Sequence, residues 1–171
     1  YTAYTPYQAE IAQGRLEALI NYQTMVTDLT GMDLANASLL DEGTAASEAM
    51  TMFYRVRKGP KKSSSKFFVS NKTYPQTVEL LKTRSVPLGI ELVIDDISNF
   101  DYSDDFFGAL IQYPDSDGNI VSPSSLIEKC NEKNIFTCVC SDLMSLVLFK
   151  PPGEFGASAV VGNSQRFGVP M

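Results

Sequence analysis

Apolar residues near the start of the chain recur with a helical rhythm. From Glu10 to Asp28 the positions Ile11, Leu16, Leu19, Ile20 and Val26, with Leu29 just beyond, predict an amphipathic helix stopped by Gly31. Leu34 to Leu40 reads as a short strand. A second helix is expected from Gly43 and Thr44 through AASEAMTMFYRV, because alanine, glutamate and methionine favour that state, and it should end around Gly59 and Pro60. After the KKSSS loop the rhythm becomes a compact alternation. A strand is predicted at Phe67 to Ser70, a helix at Pro75 to Thr83, and strands at Ile90 to Ile94 and Ala109 to Gln112. Ser122 as N-cap with Pro123 at the first helical position signals a helix to about Lys133. Strands at Ile135 to Cys140 and Ala157 to Gly162 complete the series.

Strands alternating with helices of this length predict an α/β fold with a mostly parallel sheet and helices on both faces. Ligands of such sheets bind beyond the carboxyl ends of the strands. The loops after Leu40, Ser70, Ile94, Gln112, Cys140 and Gly162 are therefore the places to look for chemistry.

With 171 residues and 44% hydrophobic content, the chain has material for one core, and residues 1–171 are expected to form a single α/β domain. The ends at Tyr1 and Met171 read as those of a fragment cut from a larger protein. No apolar run approaches the roughly 18 to 20 residues of a spanning helix. Twenty acidic against fourteen basic side chains give a net charge of −6, which repels a phosphate backbone and argues against nucleic acid. The basic cluster of Arg55, Arg57, Lys58, Lys61 and Lys62 is read as a solvated loop rather than a nucleic-acid patch. Three cysteines, Cys130, Cys138 and Cys140, have no zinc-type pairing, and a reducing compartment fits them best. The chain has no histidine. Ser-His-Asp and Cys-His catalysis within the segment are thereby excluded, since no imidazole is present to take the nucleophile's proton.

Asp41, Glu42, Gly43 and Thr44 lie between the expected strand and helix. Unpaired N–H groups, a small glycine and a threonine hydroxyl at a helix start can receive a phosphate. The same residues make an ordinary cap, which is the reading that the local residues alone favour. Asp142 stands two residues beyond the strand ending at Cys140, where a carboxylate can serve a cationic ring nitrogen or cap the following segment DLMSLVLF. Tyr1, Tyr4 and Tyr7, spaced around Pro6, can cover a groove or pack beneath neighbouring structure. Asp95 and Asp96 read as a solvated strand end. Asp115, Asp117, Gly118 and Asn119 read as a turn, because the bidentate glutamate of a calcium loop is not in place. No metal site is expected.

Three stretches carry a resemblance: YTPYQAEIAQGRLEALINYQTMV, LTGMDLANASLLDEGTAASEAM and SDLMSLVLFKPPGEFGASAVVGNSQRFGVPM. Together they resemble the N-terminal half of the glycine decarboxylase family, the P-protein of the glycine cleavage system. The stretch from about Gly59 to Lys133 is less specific. The resemblance implies a fold type I pyridoxal-phosphate-dependent large domain. In that family the cofactor phosphate meets a helix start, which corresponds to Glu42, Gly43 and Thr44, and an aspartate pairs with the pyridine nitrogen, which corresponds to Asp142.

The family's C-terminal half carries a His-Lys-Thr-Phe segment before an Ile-Pro. Laying Val169-Pro170 on that Ile-Pro places Gln165 where the Schiff-base lysine would be. An amide cannot form that bond, and the neighbouring Arg166 stays protonated. The resemblance therefore implies a vestigial cofactor site in this half, with no covalent pyridoxal phosphate. It implies further that the intact enzyme decarboxylates glycine and passes the aminomethyl group to lipoyl H-protein. Partners would be a C-terminal half or second subunit of the same enzyme, as a homodimer or heterotetramer, and no membrane. Tyr4, Thr5 and Tyr7 are candidates for a wall of the partner half's site. A bacterial cytoplasm is expected, with the mitochondrial matrix as the alternative. Three other readings remain: a different fold type I enzyme, a non-enzymatic module for a phosphorylated ligand, and a structural domain using the tyrosine segment and the Phe106 and Phe107 region as interface.

Overall fold

A computed structural model of the chain describes residues 8–36 and 39–168. Five strands, β1 (Lys66–Ser70), β2 (Glu91–Asp95), β3 (Phe106–Tyr113), β4 (Phe136–Ser141) and β5 (Ala159–Val161), form one sheet in the order β2-β1-β3-β4-β5. Every pairing is parallel. The chain steps from β1 outward to β2 and then returns to place β3 on the other side of β1. This reversal makes a switch point, and the crevice it opens lies beyond the carboxyl ends of β1 and β3.

Helices cover both faces. The helices α1 (Gln13–Thr30), α2 (Glu42–Val56), α3 (Pro75–Ser85) and α4 (Ser124–Glu132) match four predicted elements within a few residues. On one face Ala46, Met50 and Phe53 of α2 and Leu81 of α3 pack against Phe67, Val69, Phe107, Leu110, Cys138 and Cys140. On the other, Leu126, Ile127 and Cys130 of α4 pack against Phe68, Ala109, Ile111 and Val139, with Val26 and Leu29 of α1 at the margin. The period of two in each strand sends alternate residues to opposite layers, so Phe67 and Phe68 serve different cores. All eight residues of β3 are buried, as expected of a central parallel strand.

Several expectations are corrected. Leu34 to Leu40 forms no strand among its described residues, and Leu34 and Leu40 are both 87% exposed. The described residues of the segment take no place in the five-stranded sheet, so local alternation alone did not make a strand. The α4 helix starts at Ser124 with Pro123 as its cap, one residue later than expected, and the Ser122 hydroxyl accepts from the Ser124 N–H at 3.4 Å.

Phe106 and Phe107 are core rather than interface, at 5% and 0% exposed, since they head the most buried strand. Within the basic cluster Lys61 is buried, its Nζ 3.2 Å from Asp104 Oδ1, and the Arg57 guanidinium lies 3.5 Å above the Tyr54 ring. Pairing and aromatic stacking hold those two cations against the fold, leaving Arg55, Lys58 and Lys62 in solvent. Asp115 makes the expected turn, accepting from the Asp117 and Asn119 N–H groups. All three cysteines are free and buried. Burial pushes the Cys130 thiol up to about 12, and the Cys138 contact together with burial holds the Cys140 thiol well above its ordinary value. Neither is poised as a nucleophile.

Candidate functional site at the carboxyl edge of the sheet

Four elements bring polar side chains to the carboxyl edge. Helix α2 begins there, and Asp41 is its N-cap, accepting from the Thr44 N–H at 2.6 Å. That bond holds the Asp41 carboxyl below its usual value. The backbone donor at Thr44 is thus already satisfied by the cap. Gly43 has a packing reason of its own: a Cβ there would meet Leu80 Cδ2 at 3.3 Å and Thr77 Cα at 3.8 Å, so the glycine lets α2 approach α3 closely.

Glu42, in the first turn of α2, is half-buried and turned toward the strand ends. Its Oε2 accepts from Asn163 Nδ2 at 3.0 Å, while its buried Oε1 has no partner within hydrogen-bond geometry. Burial raises the Glu42 carboxyl above its ordinary value, with the Asn163 and Gln112 amides working in the opposite direction and the charges of Asp142 and Asp41 adding to the rise. Gln112, near the carboxyl end of β3, is 8% exposed, and its Oε1 is also unpartnered. Each of these two buried acceptors lacks a partner of good geometry, which is costly unless a donor is supplied.

Asp142 follows β4. Its N–H donates to the Tyr113 carbonyl at 3.2 Å, its Oδ1 accepts from the Met144 N–H at 3.2 Å, and its carbonyl accepts from the Ser145 N–H and hydroxyl. The capping reading is not realised: the segment forms only a single 3-10 turn, Ser145–Val147, whose N-cap is Met144 with no side-chain cap, and Asp142 Oδ1 instead turns the chain ahead of it. Its other carboxylate oxygen, Oδ2, is taken by Arg166 in an ion pair. The segment after β5 meets both carboxylates, Glu42 through Asn163 and Asp142 through Arg166.

The chain after β5 closes over this edge. Gly162 crosses so near β4 that a Cβ would stand 2.4 Å from the Ser141 carbonyl oxygen. Gln165 opens a 3-10 turn, Gln165–Phe167, with its N–H on Asn163 Oδ1 at 3.2 Å and its side chain exposed. Tyr4, Thr5 and Tyr7 lie outside the described residues. Sequence reasoning missed Gln112 and Asn163. Gln112 had a signal, a lone amide in the apolar run FFGALIQY, whereas Asn163 had none.

Comparison with known proteins gives this edge its context. The family described as the glycine cleavage system P-protein matches residues 1–171. The chain belongs to that family. A glycine dehydrogenase (decarboxylating) from Christiangramia forsetii is 56% identical across all of this chain, and one from Synechocystis is 54% identical. The chain spans 18% and 17% of those two relatives. A crystal structure of glycine decarboxylase (P-protein) in an inhibitor-bound form superposes with a TM-score of 0.88 at 29% identity, covering 99% of this P-protein segment and 39% of that chain. Cystathionine gamma synthase from Xanthomonas oryzae superposes over 82% of the segment with a TM-score of 0.62 at 16% identity, which is a likeness of fold. The P-protein segment thus has the fold type I large-domain architecture that its sequence led one to expect. Among its described residues no helix is long and apolar enough to cross a membrane.

Proposed function

We propose that this segment belongs to the N-terminal half of a glycine dehydrogenase (decarboxylating). The intact protein would decarboxylate glycine with pyridoxal phosphate and pass the aminomethyl group to lipoyl H-protein, in a bacterial cytoplasm. Residues 1–171 are one α/β unit of that enzyme, completed by a C-terminal half or second subunit. One observation carries the reading: relatives bearing that name align with this segment from end to end at 56% and 54% identity.

As they stand, the described residues do not fit pyridoxal phosphate as a resident group. The Thr44 N–H that would face a phosphate is engaged by Asp41, and the half-buried Glu42 carboxylate beside it disfavours a second anion. Asp142, the candidate partner for a ring nitrogen, is paired with Arg166. Gln165 offers an amide where a covalent link needs an amine. The same features weigh against an independent module for phosphorylated ligands. In this reading Glu42, Gly43, Thr44 and Asp142 keep the outline of a cofactor site whose chemistry has moved to the partner half.

The test is made on the intact, cofactor-loaded protein, reduced with borohydride and digested for peptide mass spectrometry. A pyridoxyl group on one lysine outside residues 1–171, together with glycine-dependent carbon dioxide release in the presence of lipoyl H-protein, is the expected result. A stoichiometric pyridoxyl group on a lysine inside residues 1–171 would overturn the assignment of this half as silent.

A further inference from the structure

We infer that the amino edge of the sheet, opposite the site described above, carries a binding site for a small carboxylate with a short apolar body, held by the buried Lys61 ammonium.

The site is a cavity of about 370 Å³ lined by Val56, Lys58, Lys61, Asn134 and Phe136. Three elements meet there: the end of α2, the segment that links it to β1, and the turn from α4 into β4. Its volume falls in the lower range of small-molecule sites, roughly 300–1,000 Å³. The walls divide by chemistry. Val56 is 45% exposed, and the Phe136 ring, stacked on Phe53, is half-buried, so these two offer apolar surface. Lys58 and Lys61 supply charge, and the exposed Asn134 supplies an amide. The helix ends add to the positive sign, with Arg55 in the last turn of α2 and Lys129 in that of α4. This edge therefore gathers cations in a chain whose net charge is −6.

Lys61 sets the class of ligand. Its side chain is 5% exposed, and a charge so buried needs an opposite charge. Asp104 provides one, but its own side chain is 88% exposed and its Oδ1 stands 3.2 Å from Nζ. Nζ also donates to the Ser103 carbonyl at 3.4 Å. Both contacts are long for an ammonium, which closes to about 2.7–2.9 Å on a well-placed carboxylate. An ammonium carries three hydrogens, and these are the two acceptors it meets among the described residues. Asp104 thus serves as a loosely held internal anion that a carboxylate entering the cavity can replace. Seated between Lys61 and Lys58, the newcomer would face two cations, with its alkyl body against Val56 and Phe136. A neutral molecule would gain the apolar wall alone.

The test is a titration of the intact protein with sodium hexanoate at constant ionic strength, read by hydrogen exchange at residues 56–61 and 133–137. Protection there should rise saturably, while hexanamide, the neutral analogue, should give none. Asp104→Asn removes the internal competitor and should lower the half-saturating hexanoate concentration about fivefold, the upper range for an ion pair with one exposed partner. Lys61→Met keeps most of the volume without the charge and should raise that concentration more than about tenfold. Lys58→Ala should raise it about twofold. Exchange in β1 and β3 reports whether the first two variants fold, and the exposed Lys58 carries the test if either does not.

Equal protection by hexanamide would make the cavity a merely apolar cleft and overturn the inference. A half-saturating concentration indifferent to Lys61→Met and Asp104→Asn would leave those residues a structural pair, with the same result. Full protection of 56–61 and 133–137 before any ligand is added would show that another part of the protein fills the cavity, which also overturns it. Each of these outcomes leaves the reading of the carboxyl edge untouched.

Discussion

Helices α1 and α2 are of similar length, and the fold uses them in opposite ways. Of the eighteen residues of α1 only Thr30 is buried, whereas α2 buries Ala45, Ala46, Ser47, Ala49, Met50 and Phe53 among its fifteen. Ile11, just before α1, is 79% exposed and Ile20 within it 61%. Helix α2 is held by side chains along its length. Helix α1 is held mainly at its last turn, where Gly31 at φ 69° ends the helix and the 151–156 loop closes on it. A helical rhythm of apolar residues therefore announces a helix without saying how much of it this segment covers.

The largest expected effect sharpens the α2 side of this contrast. Phe53 is 1% exposed and stacks on Phe136 with ring centroids 5.0 Å apart. Phe53→Ala should leave a cavity between α2 and the sheet and lower local stability by about 4 kcal/mol. The measurement is the exchange protection of α2 and β3 amides in the intact protein. A loss under about 1 kcal/mol would mean that α2 is held by its ends rather than its face.

Smaller, and aimed at α1, is Gly153→Ala. A Cβ at Gly153 would stand 2.2 Å from the Gly31 carbonyl oxygen and 2.8 Å from that of Thr30, both backbone atoms with little freedom to yield. Overpacking of this kind costs about 2 kcal/mol. Faster exchange should be confined to residues 27–31 and 151–156, with α2 untouched. Loosening that spread equally to α2 would show the two helices to be one cooperative unit and dissolve the contrast.

The contrast also explains what was legible in the sequence. Strands β1, β3 and β4 and the helices α2 and α4 were readable because each buries apolar side chains, and burial leaves a periodic trace. Leu34 to Leu40 carried a similar local trace, but its described residues pair with no strand, and pairing is a property of the whole sheet. At the carboxyl edge Glu42 and Asp142 were legible because a helix start and a strand end fix where such carboxylates stand. Their partners were not. Asn163 meets Glu42 across 121 positions of chain and Arg166 meets Asp142 across 24, and neither contact leaves a periodic trace. Gln165 was found through the family's pattern alone.

The smallest predicted effect lies at the start of α2, and its size depends on pH. Burial raises the Glu42 carboxyl in the folded protein above its ordinary value of 4.5, so folding favours the protonated form. The stability this contributes is fully present below the unfolded value and is lost as pH rises through the folded value. At neutral pH the ionised Glu42 is therefore a burden on the first turn of α2. Glu42→Gln keeps an oxygen for Asn163 and removes the charge, so it should stabilise the α2 start at neutral pH by about 0.5 kcal/mol, allowing for solvent at this half-exposed group. The gain should vanish in acid, where the wild-type carboxyl is already neutral. Local exchange at residues 42–46, followed from neutral to acid pH, reads the difference directly. A variant less stable than wild type at neutral pH, or a gap that ignores pH, would mean that the ionised carboxylate is needed there. Helix α2 would then be anchored through its polar first turn, much as α1 is anchored through its last.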